Sequence, residues 1–186
     1  MAIDRKKFDF TNWQDEYKNK LISADDAARL IKSNDIIMTA GGTNIPHDFS
    51  VALSKRISEL KNITFRLGLA LKLYDFMQPQ YRENITIETP FVGPVERMCL
   101  EWKTAQYIPV HLNQIVDWQN HFKPNISAFV VTPPDEEGFM NRLFWGFSAS
   151  KCNGAYRYSD SRSQSENSLA GRRCPESSCF RGGLYY

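Results

Sequence analysis

Gly41-Gly42-Thr43-Asn44-Ile45-Pro46 is the segment best suited to hold a ligand. It follows the short apolar run 36–40. It precedes residues 47–60, in which Phe49, Leu53, Ile57 and Leu60 recur at helical spacing. The order is therefore strand, glycine loop, helix. In open α/β sheets, ligands gather outside the carboxyl ends of the strands. Two glycines let a backbone approach a ligand closely, and a helix start presents unbonded N–H groups to an anion. The loop carries neither a GxGxxG fingerprint nor a P-loop Lys-Ser/Thr pair. Residue types alone describe it equally well as a tight strand-to-helix turn.

Two further segments have unusual local chemistry. Thr89-Pro90-Phe91-Val92-Gly93-Pro94 is a rigid strand exit, with Arg97 available to a carboxylate or phosphate. Thr132-Pro133-Pro134-Asp135-Glu136-Glu137-Gly138-Phe139 is a similar exit with three acids. Each has a plain structural explanation, a proline-rich turn for the first and a solvated acidic loop for the second. Consecutive carboxylates point in different directions, which disfavours a metal or acid–base cluster. His47 and His111 lack neighbours that would complete a triad, and no Gly-x-Ser-x-Gly elbow occurs. Cys99, Cys152, Cys174 and Cys179 show no CxxC spacing, so neither zinc nor a disulfide framework is expected. The residues assign no catalytic nucleophile and no metal ligand.

The elements that would carry these loops read as α/β. Trp13, Tyr17 and Leu21 fall on one face of an opening helix, residues 10–21. Ser23 caps a second helix, residues 24–33, with Asp25 and Asp26 in its first turn. Strands are predicted over residues 36–40, 63–70, 85–89 and 126–132, with a brief extended piece at 107–110. Helices are predicted over 47–60, 95–103 and 114–122. Short apolar strands alternating with helices imply a mostly parallel sheet with helices on both faces.

Residues 142–186 differ from the rest. They contain no Ile, Val or Met, and nine serines. Residues 1–141 hold 16 Lys/Arg against 18 Asp/Glu, whereas residues 142–186 hold 7 against 3. Such a segment buries too little apolar surface to offset its ordering entropy and is expected to be poorly structured. The overall charge of +2 argues against a nucleic-acid partner. No apolar run reaches the roughly 18 residues of a membrane span, and residues 1–10 lack the apolar stretch of a secretory signal. The expectation is a cytoplasmic protein with no membrane partner.

Taken in order, the motifs resemble a known family. Lys20-Leu21-Ile22-Ser23-Ala24-Asp25-Asp26-Ala27 comes first, then the Gly41–Pro46 loop and a helix containing Ala52-Leu53. Phe91-Val92-Gly93-Pro94 with Arg97 follows, then Tyr107-Ile108-Pro109-Val110-His111-Leu112, then the Thr132–Phe139 exit. Across roughly residues 10–141 this succession resembles the N-terminal domain of the acetyl-CoA hydrolase/transferase family, which includes 4-hydroxybutyrate and butyryl-CoA:acetate CoA transferases. The resemblance implies an incomplete class I CoA-transferase-like N-terminal domain over residues 1–141. It implies exchange of coenzyme A between an acyl-CoA and a short-chain carboxylate, with coenzyme A as substrate and no resident cofactor. Its substrate-binding residues would be Gly41, Gly42, Thr43, Asn44, Pro46, Phe91, Gly93, Arg97, Asp135 and Gly138.

In that family a glutamate of the C-terminal domain attacks the thioester, giving an acyl anhydride and then a glutamyl-CoA thioester. This sequence has no counterpart of that domain. Glu136, Glu137, Glu166 and Glu176 are not assigned its role, and the chain is expected to be inactive alone, with the C-terminal domain as its missing partner. Assembly with a second copy is left open. Two other readings stay open: a stand-alone coenzyme A or small-molecule module using the Gly41-Gly42 loop, and an interaction protein whose basic tail contacts RNA or an acidic surface.

One cause would account for the missing aliphatics, the excess serine and the charge shift of residues 142–186 together. One codon choice for residues 151–167, read one nucleotide later, spells NAMEHTDTAILEVNQKT, the kind of strand the family carries after this point. Resequencing the gene across codon 142 is therefore expected to reveal a frame slip; an intact frame overturns this account of the tail.

Overall fold

The structure, a computed structural model, describes residues 13–115, 118, 124–133, 136 and 169–170. Among the described residues ten labelled elements follow one another: α1 (Trp13–Lys20), α2 (Ala24–Arg29), β1 (Ile36–Thr39), α3 (His47–Arg56), β2 (Ile63–Arg66), β3 (Ile85–Thr89), α4 (Pro94–Glu101), β4 (Ala105–Tyr107), β5 (Ile126–Val130) and β6 (Leu169–Ala170), with a 3-10 turn Gly42–Asn44 between β1 and α3 among the short connectors. The sheet order is β4-β3-β2-β1-β5-β6. β1 pairs in parallel with both β2 and β5, and the ladder continues in parallel through β3 to β4. Only β6 runs antiparallel, against Phe129 and Val130.

Alternation along the strands sets the two faces. Ile37, Phe65, Ile63, Ile85, Ile87, Ile126 and Ala128 turn to one side, where Ala27 of α2, Phe49 and Leu53 of α3 and Cys99 of α4 close the main core. Met38, Ala40 and Phe129 cluster separately, and Tyr17 of α1 packs on Val131 just past β5. Helices therefore lie on both faces, as the pattern of apolar runs predicts.

Several boundaries moved. Ser23 does cap α2, its hydroxyl accepting the Asp26 N–H at 3.1 Å, but the helix ends at Arg29 rather than near residue 33. The segment 47–60 is α-helical only to Arg56 and finishes as a 3-10 turn, Ile57–Glu59. The apolar run 63–70 is strand only to Arg66, because Leu67 to Ala70 leave the sheet to meet the loop after β1. The fourth strand is centred on Ala105–Tyr107, slightly before the expected 107–110. A 3-10 turn, Leu112–Gln114, leads into the expected 114–122 helix, of which Ile115 and Trp118 are helical and most of the remainder lies outside the described residues. So does residue 142–186, apart from β6, and with it the expectation of an unstructured, out-of-frame tail. No helix among the described residues is long and apolar enough to cross a membrane.

On the second face, Arg66 closes β2 and is 2 % exposed. It pairs with Glu88, its register partner on β3, at 2.7 Å, and lies 5.4 Å from the ring centroid of Trp118. On the core face, Phe76 sits between Phe65 (centroids 4.8 Å) and Tyr74 (5.7 Å, stacked). Burial pushes the Tyr74 phenol above its ordinary value. A hydrogen bond with Ser50 opposes the rise and the charge of Asp48 adds to it.

A raised phenol value means that the folded chain keeps this proton after the unfolded chain has lost it. Tyr74 thus contributes stability that is complete below pH ~10 and is lost as pH climbs through the folded value. Absorbance titration at 295 nm is expected to show one tyrosine ionising above the others, and the Tyr74→Phe variant should lack that step. An unchanged curve in the variant contradicts it.

Candidate functional site

Because β1, β2, β3, β4 and β5 all run parallel, their carboxyl ends form one edge. The Gly41–Pro46 loop, the Leu67–Ala70 segment, the Phe91–Gly93 segment and the Val131–Pro133 segment all leave from it. The chain builds outward from β1 through β2 and β3 to β4, then returns to place β5 on the other side of β1. The topological switch point is therefore between β1 and β5, where open α/β sheets leave a crevice at the carboxyl ends. The 3-10 turn Gly42–Asn44 sits against β5 at that point.

The exits are locked to one another through backbone. Gly42 N–H donates to the Leu69 carbonyl at 2.6 Å. A Cβ on Gly41 would come within 2.8 Å of Leu69 N and 3.1 Å of Gly68 Cα, and a Cβ on Gly68 within 3.0 Å of Gly41 Cα. Glycine at these two positions is a packing requirement. At Gly42 it is conformational, since φ is 64°.

The β2 and β3 exits are tied by Glu96, which is 2 % exposed. Its Oε1 accepts the Ala70 N–H at 2.5 Å and its Oε2 accepts the Gly93 N–H at 2.9 Å. Standing third in α4, Glu96 also lies where the helix dipole favours a negative charge. Thr89 adds a second tie: its hydroxyl lies 2.9 Å from the Phe91 carbonyl and 3.3 Å from the Gly68 carbonyl, and accepts the Phe91 N–H at 3.2 Å.

The residues singled out from sequence divide accordingly. Gly41, Gly42, Thr43, Asn44 and Pro46 stand on the β1 exit, with Gly41, Asn44 and Pro46 buried and Thr43 exposed. Phe91 and Gly93 stand on the β3 exit, half-buried, two strands away along the same edge. Arg97 is exposed on the first turns of α4 and makes no ion pair among the described residues. Asp135 and Gly138 lie outside the described residues.

The Gly68-Leu69-Ala70 hub and Glu96 were not among them. The Pro-x-Glu spacing after Gly93 carries a capping signal that could have found Glu96; the hub depends on a contact across two strands and leaves no local mark. Asn44 stands out within the site. It is 1 % exposed, and neither Oδ1 nor Nδ2 has a hydrogen-bond partner among the described residues.

Residues 3–156 match the acetyl-CoA hydrolase/transferase N-terminal domain, and the chain belongs to that family. The matched residues run past Asn141, where the composition changes. Over 135 residues the chain is 28 % identical to the butyryl-CoA:acetate CoA-transferase of Anaerostipes caccae, covering 70 % of this chain and 30 % of that protein. Over 141 residues it is 30 % identical to a protein of Syntrophomonas wolfei named "Probable butyrate:acetyl-CoA coenzyme A-transferase", covering 74 % and 31 %. The chain thus spans about a third of the length of the curated relatives it matches. The fold is similar to that of RipA from Yersinia pestis, with a TM-score of 0.62 at 17 % identity over 70 % of this chain and 33 % of that one. A single-residue mutant of RipA gives 0.66 at 18 % identity, over 71 % and 33 %.

The close approach at Gly41 makes a sharp prediction. Gly41→Ala places a methyl group against the backbone of Gly68 and Leu69, which cannot step aside as a side chain could. The expected cost is about 1–3 kcal/mol, read as a lower midpoint in urea unfolding. An unchanged midpoint contradicts the packing described here.

Proposed function

We propose that this chain supplies one wall of the acyl-CoA pocket of an enzyme that moves coenzyme A between an acyl-CoA and a short-chain carboxylate, and that it performs no transfer by itself. Membership of the family and the activities in the names of the two relatives support the substrate class. The observation that carries the reading is the meeting of the glycine-rich exits of β1, β2 and β3 at one edge, beside the β1/β5 switch point. Such an edge offers a shaped surface, braced by its own backbone, beside the crevice for a thioester and its neighbours.

Two carboxylates described on the β2 and β3 side of this edge are already engaged. Glu88 is paired with Arg66 and Glu96 has each oxygen occupied by a backbone N–H. A carboxylate so engaged is a poor attacking group, because its lone pairs are already committed. The attacking carboxylate is therefore assigned to a partner segment that faces this wall, the C-terminal domain of the family. The chain acts in the cytoplasm under this reading.

Calorimetric titration of the chain with coenzyme A is expected to show binding, and incubation with acetyl-CoA and butyrate is expected to yield no butyryl-CoA. Absence of coenzyme A binding overturns the assignment of the wall. Thioester exchange by the chain alone overturns its dependence on a partner.

A further inference from the structure

Asn44 is the one described side chain whose buried polar atoms have no partner among the described residues. Leaving a buried donor and acceptor unpaired is costly, and native chains retain such groups sparingly. Both atoms belong to a carboxamide, so the position asks for a ligand that accepts from Nδ2 and donates to Oδ1 together. A carboxylate or a thioester carbonyl only accepts. Either would satisfy Nδ2 and leave Oδ1 buried and unpaired. A chain carrying two neighbouring secondary amides satisfies both: each amide is trans and turns its N–H and C=O to opposite sides, so the N–H comes from one and the carbonyl from the other.

Placement agrees with the chemistry. Asn44 ends the 3-10 turn that packs against β5 at the switch point, two residues beyond Gly42. Coenzyme A carries two secondary amides along its pantetheine arm. We propose that Asn44 pairs with both, its Oδ1 accepting the N–H of one amide and its Nδ2 donating to the carbonyl of the other, which fixes the depth at which the arm enters the β1/β5 crevice. Asn44 then reads the carrier shared by all acyl-CoA substrates and leaves acyl-chain selection to other groups. The inference rests on the reading of this edge as the coenzyme A wall.

The test uses Asn44→Leu, which keeps the branched outline with somewhat bulkier methyl groups and removes both polar atoms. If the carboxamide is reserved for a ligand, the variant is at least as stable as the parent, with a thermal midpoint equal or higher by about 2–4 °C. Its affinity for coenzyme A should fall about tenfold or more. Affinity for pantetheine should fall in parallel, whereas 3′,5′-ADP, which lacks the arm, should bind parent and variant alike. A lower midpoint shows that the carboxamide serves the folded chain itself and overturns the inference.

So does undiminished coenzyme A affinity, or an equal loss for 3′,5′-ADP. If Leu prevents folding, Asn44→Ala removes the same atoms without added bulk and is held to the same binding comparison. A parent chain that binds no coenzyme A overturns the proposed wall and this inference together, whereas a binding-competent parent with an indifferent variant overturns the inference alone.

Discussion

At the carboxyl edge of the sheet, the backbones of Gly41 and Gly68 pass so closely that neither residue has room for a Cβ. That approach organises much of what surrounds it. It pulls the chain out of β2 after Arg66, lets Gly42 N–H reach the Leu69 carbonyl, and leaves Leu69 and Ala70 in reach of Gly93 and Glu96 on the far side. Two neighbouring strand exits that would otherwise be independent loops become one surface. Loops joined by backbone hydrogen bonds move little, and a pocket wall that does not move avoids the cost of ordering when a ligand arrives.

Electrostatics at this edge are handled by satisfying charge locally. A buried carboxylate is tolerated only when paired or well hydrogen-bonded. Buried Glu96 meets that condition through two backbone N–H groups, and half-buried Glu88 pairs with the guanidinium of buried Arg66. In both cases one partner sits on β2 or its exit and the other on β3 or its exit, so each interaction also sets how those exits lie. Removing a single partner would strand a buried charge, which costs more than the pair itself contributes. Asn44 is the contrast: equally buried, on the other side of the glycine loop, and with no such partner among the described residues.

What could be read from sequence was local in its physics. The Ser23 cap, the glycine turn after β1 and the strand Ile85–Thr89 depend on residues within a few positions of one another, and all three stand as the residue pattern implies. The apolar run 63–70 misled because composition does not register that Gly68 must leave the sheet to touch Gly41. Glu96 escaped notice because its two acceptor oxygens serve amides on different strand exits, a long-range fact with no periodicity. Strand order was likewise hidden. Nothing in the run 126–132 says that it returns to β1 rather than joining β4, yet that choice places the switch point.

The division of labour follows from what each group can do chemically. Acyl transfer through an anhydride competes with water at every step, so the pocket must be dry when it reacts and open when substrates exchange. Under the proposed function, braced strand exits and a buried carboxamide would position a substrate, but they neither attack nor exclude solvent. At the same edge Leu71 is 64 % exposed and Val92 38 % exposed, apolar side chains standing beside the loops rather than under a helix. Under the proposed function, a wall with an apolar lip, whose Glu88 and Glu96 are already engaged, would call for a facing surface that brings both the nucleophile and the seal. Substrate alignment and chemical attack would then be completed only when the two surfaces meet.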